Sequence, residues 1–373
     1  MEDKIQSDKF LKLKDDVQLF CGDTAAYIYR AGYRSLKLNL LNLTNKRYLE
    51  SLFKKLKFGL PLQELSRNDH GNKISGIDIK NLFLLLEKEG FFMNMEGQKL
   101  IKESDLKRYE RQLNWLDVNL RQESAYIIQN KIFDKRICLF GLGSLGNLLL
   151  MELAAMGFRN FTIIDKDMVE ISNLNRQILY RESNIGKPKV LVAKQWLKSF
   201  DKNIEVRAIK KNINSYEILS KTINQCDILI LTADEPKSDI VLWTSRYCVS
   251  TKTPWVRFSR MGIGPLYTNK SDACAACILP AITGNKKLSK FLEETNLSLN
   301  RRKSVVVSEV SFAISIMAHE ILLYLTGMSP NHLRNTILTA NIDENEYKVK
   351  QQKVKKKTNC PCNIYAKQQN QSK

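Results

Sequence analysis

The chain has 373 residues, 43% of them hydrophobic and 26% charged, ordinary globular values that exclude collagen-like, low-complexity and wholly disordered classes. Its length suits about two domains. Lys and Arg outnumber Asp and Glu 59 to 39, a formal charge of +20 that favours anionic partners: nucleotide, nucleic acid, acidic peptide or lipid headgroup.

Residues 1–30 carry acids and bases with no apolar core segment, so the expectation is no secretory signal and a cytoplasmic protein. Residues 17–40 alternate apolar and polar through Val17 and Leu19, Tyr27 and Tyr29, and Leu36, Leu38 and Leu40, with turn residues at Gly22-Asp23 and Gly32. These read as short antiparallel strands. Helical spacing comes next: Tyr48, Leu52, Phe53 and Leu56 share one face, and Ile79, Leu82, Phe83 and Leu86 share another before Gly90. Residues 1–105 therefore form a small α+β unit with no acid pair or metal ligands, which reads as a binding module.

From about residue 107 short apolar runs alternate with helix-length segments: 137–140, 161–164, 204–208 and 228–231. That pattern predicts an α/β domain over 106–373 with a doubly wound, mostly parallel Rossmann-like sheet. The most membrane-like stretch, 137–158, is broken by Ser144, Asn147, Glu152 and four glycines, so no membrane span is expected. Further strands are expected at 255–258, 264–267 and 336–341, and a long apolar helix at 308–326 ended by Gly327. The polar, basic stretch 281–304 reads as a mobile loop.

Cys274-x-x-Cys277 and Cys360-x-Cys362 stand apart from the other four of the eight cysteines, paired closely enough to chelate a metal. Cys138, Cys226 and Cys248 lie in apolar runs where cysteine is a small core residue. None of the three histidines sits beside a Ser or Cys in a nucleophile motif, so no catalytic triad is expected.

Gly141-Leu142-Gly143-Ser144-Leu145-Gly146 comes after one predicted strand and opens a helix, the context in which glycines let a helix N-terminus approach phosphates. Asp165 ends the next strand, 19 residues after Gly146, where a carboxylate can accept hydrogen bonds from ribose hydroxyls. Those features alone would suit a nicotinamide dehydrogenase. The residues beyond Asp165 do not: Asp167-Met168-Val169-Glu170-Ile171-Ser172-Asn173-Leu174-Asn175-Arg176-Gln177, then Gly186-Lys187-Pro188-Lys189, then Thr232-Ala233-Asp234 at a strand end. Arg176 and Lys189 are cations suited to a triphosphate, and Asp234 offers hard oxygen for Mg²⁺.

With these motifs in this order, residues 107–362 resemble the ThiF/MoeB/HesA superfamily of adenylating enzymes, related to ubiquitin-activating enzymes. The resemblance implies that Gly141, Gly143, Gly146, Asp165, Asp167, Asn173, Arg176, Gln177, Lys189 and Asp234 bind ATP. Asp165 would hold the ribose, Asn173, Arg176 and Lys189 the phosphates, and Asp234 the magnesium. In Arg108-Tyr109-Glu110-Arg111-Gln112, Arg111 would reach across a homodimer to the partner's nucleotide. Cys274, Cys277, Cys360 and Cys362 would form the family's structural zinc site. The second pair departs from the family in having one intervening residue where two are common, a spacing that strains chelation.

The N-terminal unit resembles the winged-helix-like element by which peptide-modifying members bind a precursor, through strand addition to a sheet edge. The chain as a whole resembles the branch that matures ribosomally made peptide antibiotics, of the microcin C and pantocin A types. Activation of a terminal carboxamide residue or of glutamate side chains is implied, respectively. Two alternatives remain open: activation of a Gly-Gly-tailed sulfur carrier, and nucleic-acid binding by the basic module. The latter is disfavoured because Arg30, Arg34, Lys37, Lys46, Arg47, Lys54, Lys55 and Lys57 lack interleaved exposed aromatics.

Overall fold

A computed structural model describes residues 10–30, 35–39, 43–61, 73–74, 77–120, 123–259, 262–279, 306–328, 331–342 and 347–365. The segment 281–304, expected as a mobile loop, lies outside the described residues. Contacts divide the chain into two compact units, Met1–Asn130 and Lys131–Lys373.

In the first unit, β1 (Phe10–Leu11) is followed by an antiparallel meander of β2 (Val17–Cys21), β3 (Ala25–Arg30) and β4 (Leu36–Asn39). β1 pairs with β5 (Leu60–Pro61), and β6 (Lys73–Ile74) pairs with β7 (Ile77–Asp78). Val17, Ala26, Ile28 and Leu38 face a core shared with helices Leu43–Phe58 and Ile79–Lys88, which supply Leu49, Leu52, Phe53, Leu56, Leu82, Phe83 and Leu86. The second helix ends where expected. Gly90 takes φ +73°, and the Phe91 N–H bonds the Leu86 carbonyl at 2.8 Å while the Gly90 N–H bonds Glu87 at 2.9 Å.

β3 corrects the sequence reading in two ways. Ala26, Ile28 and Arg30 are the buried set, and Tyr27 and Tyr29 face solvent beside Phe20, keeping phenol hydroxyls in water. Exposed aromatics therefore do lie among basic residues, with Lys37 Nζ 5.9 Å from the Tyr27 ring. Arg30 is not a surface cation. Its guanidinium bonds Asp16 at 3.0 Å, the Gly90 carbonyl at 2.8 Å and the Val118 carbonyl at 2.9 Å. Lys14 Nζ donates to the Asp117 carbonyl at 2.6 Å. These bonds tie helix Glu110–Asn119 to the small unit, and helix Glu103–Arg108 falls within the same compact unit.

The second unit is built on an eight-stranded sheet of β8 (Arg136–Phe140), β9 (Asn160–Asp165), β10 (Glu205–Lys210), β11 (Ile228–Leu231), β12 (Trp255–Ser259), β13 (Gly262–Ile263), β14 (Thr336–Ile342) and β15 (Tyr347–Lys353). The order β10-β9-β8-β11-β12 is wholly parallel, and β13, β14 and β15 extend it antiparallel. Strand order reverses between β8 and β11, which opens a crevice at their C-terminal ends. β8 and β11 are near-continuous apolar runs because helices cover both faces.

The strands differ from expectation at two places. Residues 264–267 do not form a regular strand: β13 lies just before them, and Tyr267 pairs with Trp255 through two 2.9 Å backbone bonds. β15 has no counterpart among the expected strands, since an edge strand reading YKVKQQK carries almost no apolar signal. Stretch 137–158 is β8 followed by helix Ser144–Ala155, not a span. Among the described residues Val307–Thr326 alone is long and apolar enough to cross a membrane, but half of it is buried inside the fold. It contacts helix Ser144–Ala155, where Ser315 Oγ donates to Glu152 Oε1 at 2.9 Å.

Candidate functional site

The crevice between β8 and β11 is shaped by glycines with different duties. Gly141 has φ +104°, and a Cβ there would lie 2.6 Å from the Ala233 nitrogen; at Gly146 it would lie 1.9 Å from the Gly141 carbonyl oxygen. Both positions are fixed by packing of backbone on backbone. Around a Cβ at Gly143 nothing lies within 4 Å, so that glycine leaves open space at the start of helix Ser144–Ala155. Thr232 Oγ1 donates to the Gly141 carbonyl at 2.8 Å, and the Ala233 N–H bonds the Phe140 carbonyl at 2.9 Å. The end of β11 is thereby stitched to the loop.

Asp165 closes the loop from the β9 side. Its Oδ2 accepts the Leu142 N–H at 2.6 Å and its Oδ1 accepts the Asp167 N–H at 2.7 Å. Burial pushes this carboxyl above its ordinary value, and the two N–H donors oppose the shift. Each oxygen retains a lone pair for a further donor. The buried Lys189 Nζ lies 3.1 Å from Asp167 Oδ2, while Asp167 is half exposed, so a buried ammonium is held at the crevice by one carboxylate.

Asn173, Arg176 and Gln177 share the next turn of the chain. Asn173 Oδ1 accepts the Glu170 N–H at 3.2 Å, closing a capping box. Arg176 bonds Asn175 Oδ1 at 2.9 Å and also the Ser172 carbonyl. Gln177 is buried, and its Oε1 has no hydrogen-bond partner among the described residues. Asp234 is exposed on the loop after β11. Arg111 is exposed on helix Glu110–Asn119 of the first unit.

Sequence reasoning gave no role of their own at the crevice to four residues of the second unit. One is Thr232, which ties β11 to the glycine loop. Asn147 Nδ2 bonds the Gly143 carbonyl at 2.7 Å, and the buried Tyr180 hydroxyl bonds the Leu142 carbonyl at 2.9 Å. The fourth is Arg257 on β12, whose Nε is buried with no partner among the described residues. Burial pulls its pKa down and the nearby Asp234 carboxylate pulls it back up. The available signal was a lone cation inside the apolar run Trp255–Phe258.

Cys274, Cys277, Cys360 and Cys362 are all buried, with sulfurs within 4.8 Å of one another. Cys274 and Cys360 sulfurs are 3.6 Å apart, those of Cys277 and Cys362 3.5 Å. Tetrahedral Zn²⁺ with ~2.3 Å Zn–S bonds places sulfurs about 3.8 Å apart, so the donor set and spacing fit zinc. The Cys-Pro-Cys departure is accommodated: Cys360 precedes a helical turn over 361–365, and both sulfurs reach the cluster. Cys248 is a different case. It is fully buried in helix Lys237–Thr251, and burial pushes its thiol well above the ordinary range, which disfavours the nucleophilic thiolate.

A crevice of this kind, at the switch point of a doubly wound sheet, belongs to the nucleotide-binding α/β proteins. Within that class the chain belongs to the ThiF family, which matches residues 109–362. It is 34% identical over 180 residues to the adenylyltransferase and sulfurtransferase MOCS3 of Arabidopsis thaliana, a match covering 46% of this chain and 36% of that protein. It is 28% identical over 184 residues to the sulfur carrier protein ThiS adenylyltransferase of Escherichia coli K12, covering 48% and 70% respectively. The chain therefore spans about a third of MOCS3.

Solved structures match over nearly all of the chain. The microcin C7 biosynthetic enzyme MccB in complex with N-formylated MccA has a TM-score of 0.71 at 21% identity, covering 95% of this chain and 100% of that one. E. coli MccB with ATP gives 0.68 at 21% identity, covering 94% and 99%. PaaA gives 0.67 at 18% identity, covering 91% and 99%. The fold is that of MccB, a mixed α/β architecture with a large, mostly parallel sheet and a small N-terminal sheet.

Proposed function

We propose that the chain is an ATP-dependent enzyme that adenylates a ribosomally made precursor peptide, activating a carboxylate or carboxamide during maturation of a peptide antibiotic. One observation carries this reading over other ThiF-family activities. Likeness to MccB, which has been solved with ATP and with MccA, extends over both units, whereas MOCS3 and ThiS adenylyltransferase match less than half of the chain.

In this reading ATP binds at the glycine loop, with ribose on Asp165 and phosphates near Asn173, Arg176, Gln177 and Lys189. Asp167 holds Lys189 in place. Asp234 would hold Mg²⁺, which neutralises phosphate charge, and Arg111 acts from the partner subunit of a homodimer. The nucleophilic oxygen attacks the α-phosphorus, forming an O–P bond as the bond to pyrophosphate breaks. Fixed charges around the phosphate oxygens supply most of the catalysis by positioning and electrostatics. Zinc on the four cysteines fastens the tail to the sheet. The module of residues 1–105 binds the precursor's leader, and tethering raises the local concentration of the reacting group.

The test is ATP–pyrophosphate exchange with the full chain and a library of short synthetic peptides. Exchange with peptides, lost in Asp234→Ala, is the expected result. The family's sulfur-carrier activators support a second reading through their identities over the adenylation half. Exchange with a Gly-Gly-tailed carrier and with no peptide would put that reading first. Exchange that accompanies glutamate-containing peptides alone would favour the pantocin-type reaction.

A further inference from the structure

Arg257 is the middle residue of β12, level with the C-terminal end of β11. It lies in register with Leu231 of β11, and its carbonyl accepts the Gly264 N–H at 2.8 Å, next to the Phe258–Ile263 pair of β12 and β13. Its Nε is shut away from water with no partner among the described residues. A buried donor left unpaired costs the desolvation of that group, and a guanidinium costs more than a neutral amide. Asp234 is near enough to act on its charge but does not bond that nitrogen. An oxyanion would supply what is missing, since guanidinium forks match carboxylate and phosphate oxygens.

Position along the sheet separates those two oxyanions. Asp165, the ribose residue of the proposed reading, ends β9; the glycine loop comes after β8, Asp234 after β11, and Arg257 lies on β12. With strands ~4.8 Å apart, β12 is about 10 Å beyond β8 on the side away from Asp165. A nucleotide laid from Asp165 across the loop reaches Arg257 last. In the proposed reading the leaving pyrophosphate lies by Asn173, Arg176 and Lys189, which follow β9, and in-line displacement puts the acceptor on the opposite side of the α-phosphorus, toward β12.

Resting on the adenylation reading, we infer that Arg257 docks the carboxylate that is to be adenylated, so that the acceptor site prefers an anionic carboxylate to a neutral amide. One carboxylate oxygen bonds the guanidinium. The other keeps its lone pairs for the α-phosphorus, the new O–P bond forms, and the electron pair of the broken P–O bond leaves with pyrophosphate. The guanidinium also offsets repulsion between the incoming carboxylate and the phosphates, which would otherwise exclude it from the crevice.

The test reads the arginine Nε–H signals of the full chain, labelled with ¹⁵N-arginine, by NMR. Saturating magnesium α,β-methylene-ATP is added first, then sodium acetate, with acetamide as the neutral control. One resonance, absent from Arg257→Lys, should move saturably with acetate and stay in place with acetamide. Affinity for the ATP analogue should stay within about twofold in Arg257→Lys and Arg257→Gln. A signal that responds fully to the nucleotide alone, with a tenfold or greater loss of analogue affinity in both variants, would make Arg257 a phosphate ligand and overturn the inference. So would an Arg257 signal indifferent to acetate. Failure of the unaltered chain to bind the analogue would instead remove the adenylation reading itself.

Discussion

Gly146 and Gly143 look alike in the sequence, yet their surroundings make opposite demands. At Gly146 the atom that an alanine Cβ would strike is a backbone oxygen 1.9 Å away, which cannot turn aside as a side chain does. Gly146→Ala must open the loop, and overpacking of this kind costs about 1–3 kcal/mol or more. A Tm loss of roughly 2–12 °C is expected at ~2–4 °C per kcal/mol, with weakened binding of an ATP analogue. Gly143→Ala has room and an ordinary φ of −69°, so its Tm should hold, and only nucleotide affinity should fall if phosphate fills that space. Thermal melts and calorimetry on both variants decide it; a Gly146→Ala protein that melts like the unaltered chain would show that the loop does not need its close approach. Cys248 makes the complementary prediction. Being buried where the thiolate is disfavoured, it should be dispensable for turnover, so Cys248→Ala should keep at least half of the peptide-dependent exchange at a cost of ~1–2 kcal/mol in stability. Exchange abolished in a folded variant would make it the nucleophile after all.

Among the elements, the cysteine clasp joins the short turn Cys274–Cys277 to the tail at Cys360–Cys362, far apart in sequence and without a strand pair of their own. Metal analysis should find about one zinc per chain, and Cys274→Ser or Cys362→Ser should lower Tm by roughly 10 °C, at ~2–4 °C for each of about 3–4 kcal/mol lost with a ligand. Nucleotide affinity at a temperature below both melts should change little, because the glycine loop lies at the ends of β8 and β9. A metal-free preparation with unaltered melting would remove the zinc assignment. How far these elements are legible in the sequence depends on their burial. β8, β9 and β11 announce themselves because both faces are covered, and the stops at Gly90 and Gly327 because positive φ selects glycine. β15 is an edge and writes no apolar pattern. On β3 the alternation is visible but its phase is not, since Tyr27 and Tyr29 are larger than Ala26 and yet turn outward, while Arg30 goes in to bond three partners. Arg257 escapes notice for the same reason: a cation inside a strand has meaning only once the strand's neighbours are known.

At the scale of the whole molecule, the proposed reading makes catalysis depend on how subunits share residues. Arg111 belongs to helix Glu110–Asn119, which Lys14 and Arg30 tie to the first unit, whereas Asp234 belongs to the second. The proposed homodimer has each Arg111 serving the partner's nucleotide, so Arg111→Ala and Asp234→Ala should each lose a hundredfold or more, about 3–4 kcal/mol of charge stabilisation in the transition state. Mixed after subunit exchange, the two inactive proteins should regain activity for a geometric reason. In a hybrid dimer, the subunit with Arg111→Ala keeps its own Asp234 and receives an intact Arg111 from its partner, making one complete site. The other site lacks both groups. Random assortment of equal amounts makes about half of the dimers hybrid, and with one working site in two the mixture should reach about a quarter of normal exchange activity. Action within one chain predicts no gain over the separate proteins, because no site in any hybrid would then hold both residues. Subunit exchange is checked in parallel with differently tagged chains, so that an absence of recovery reads as action in cis and not as a failure to mix.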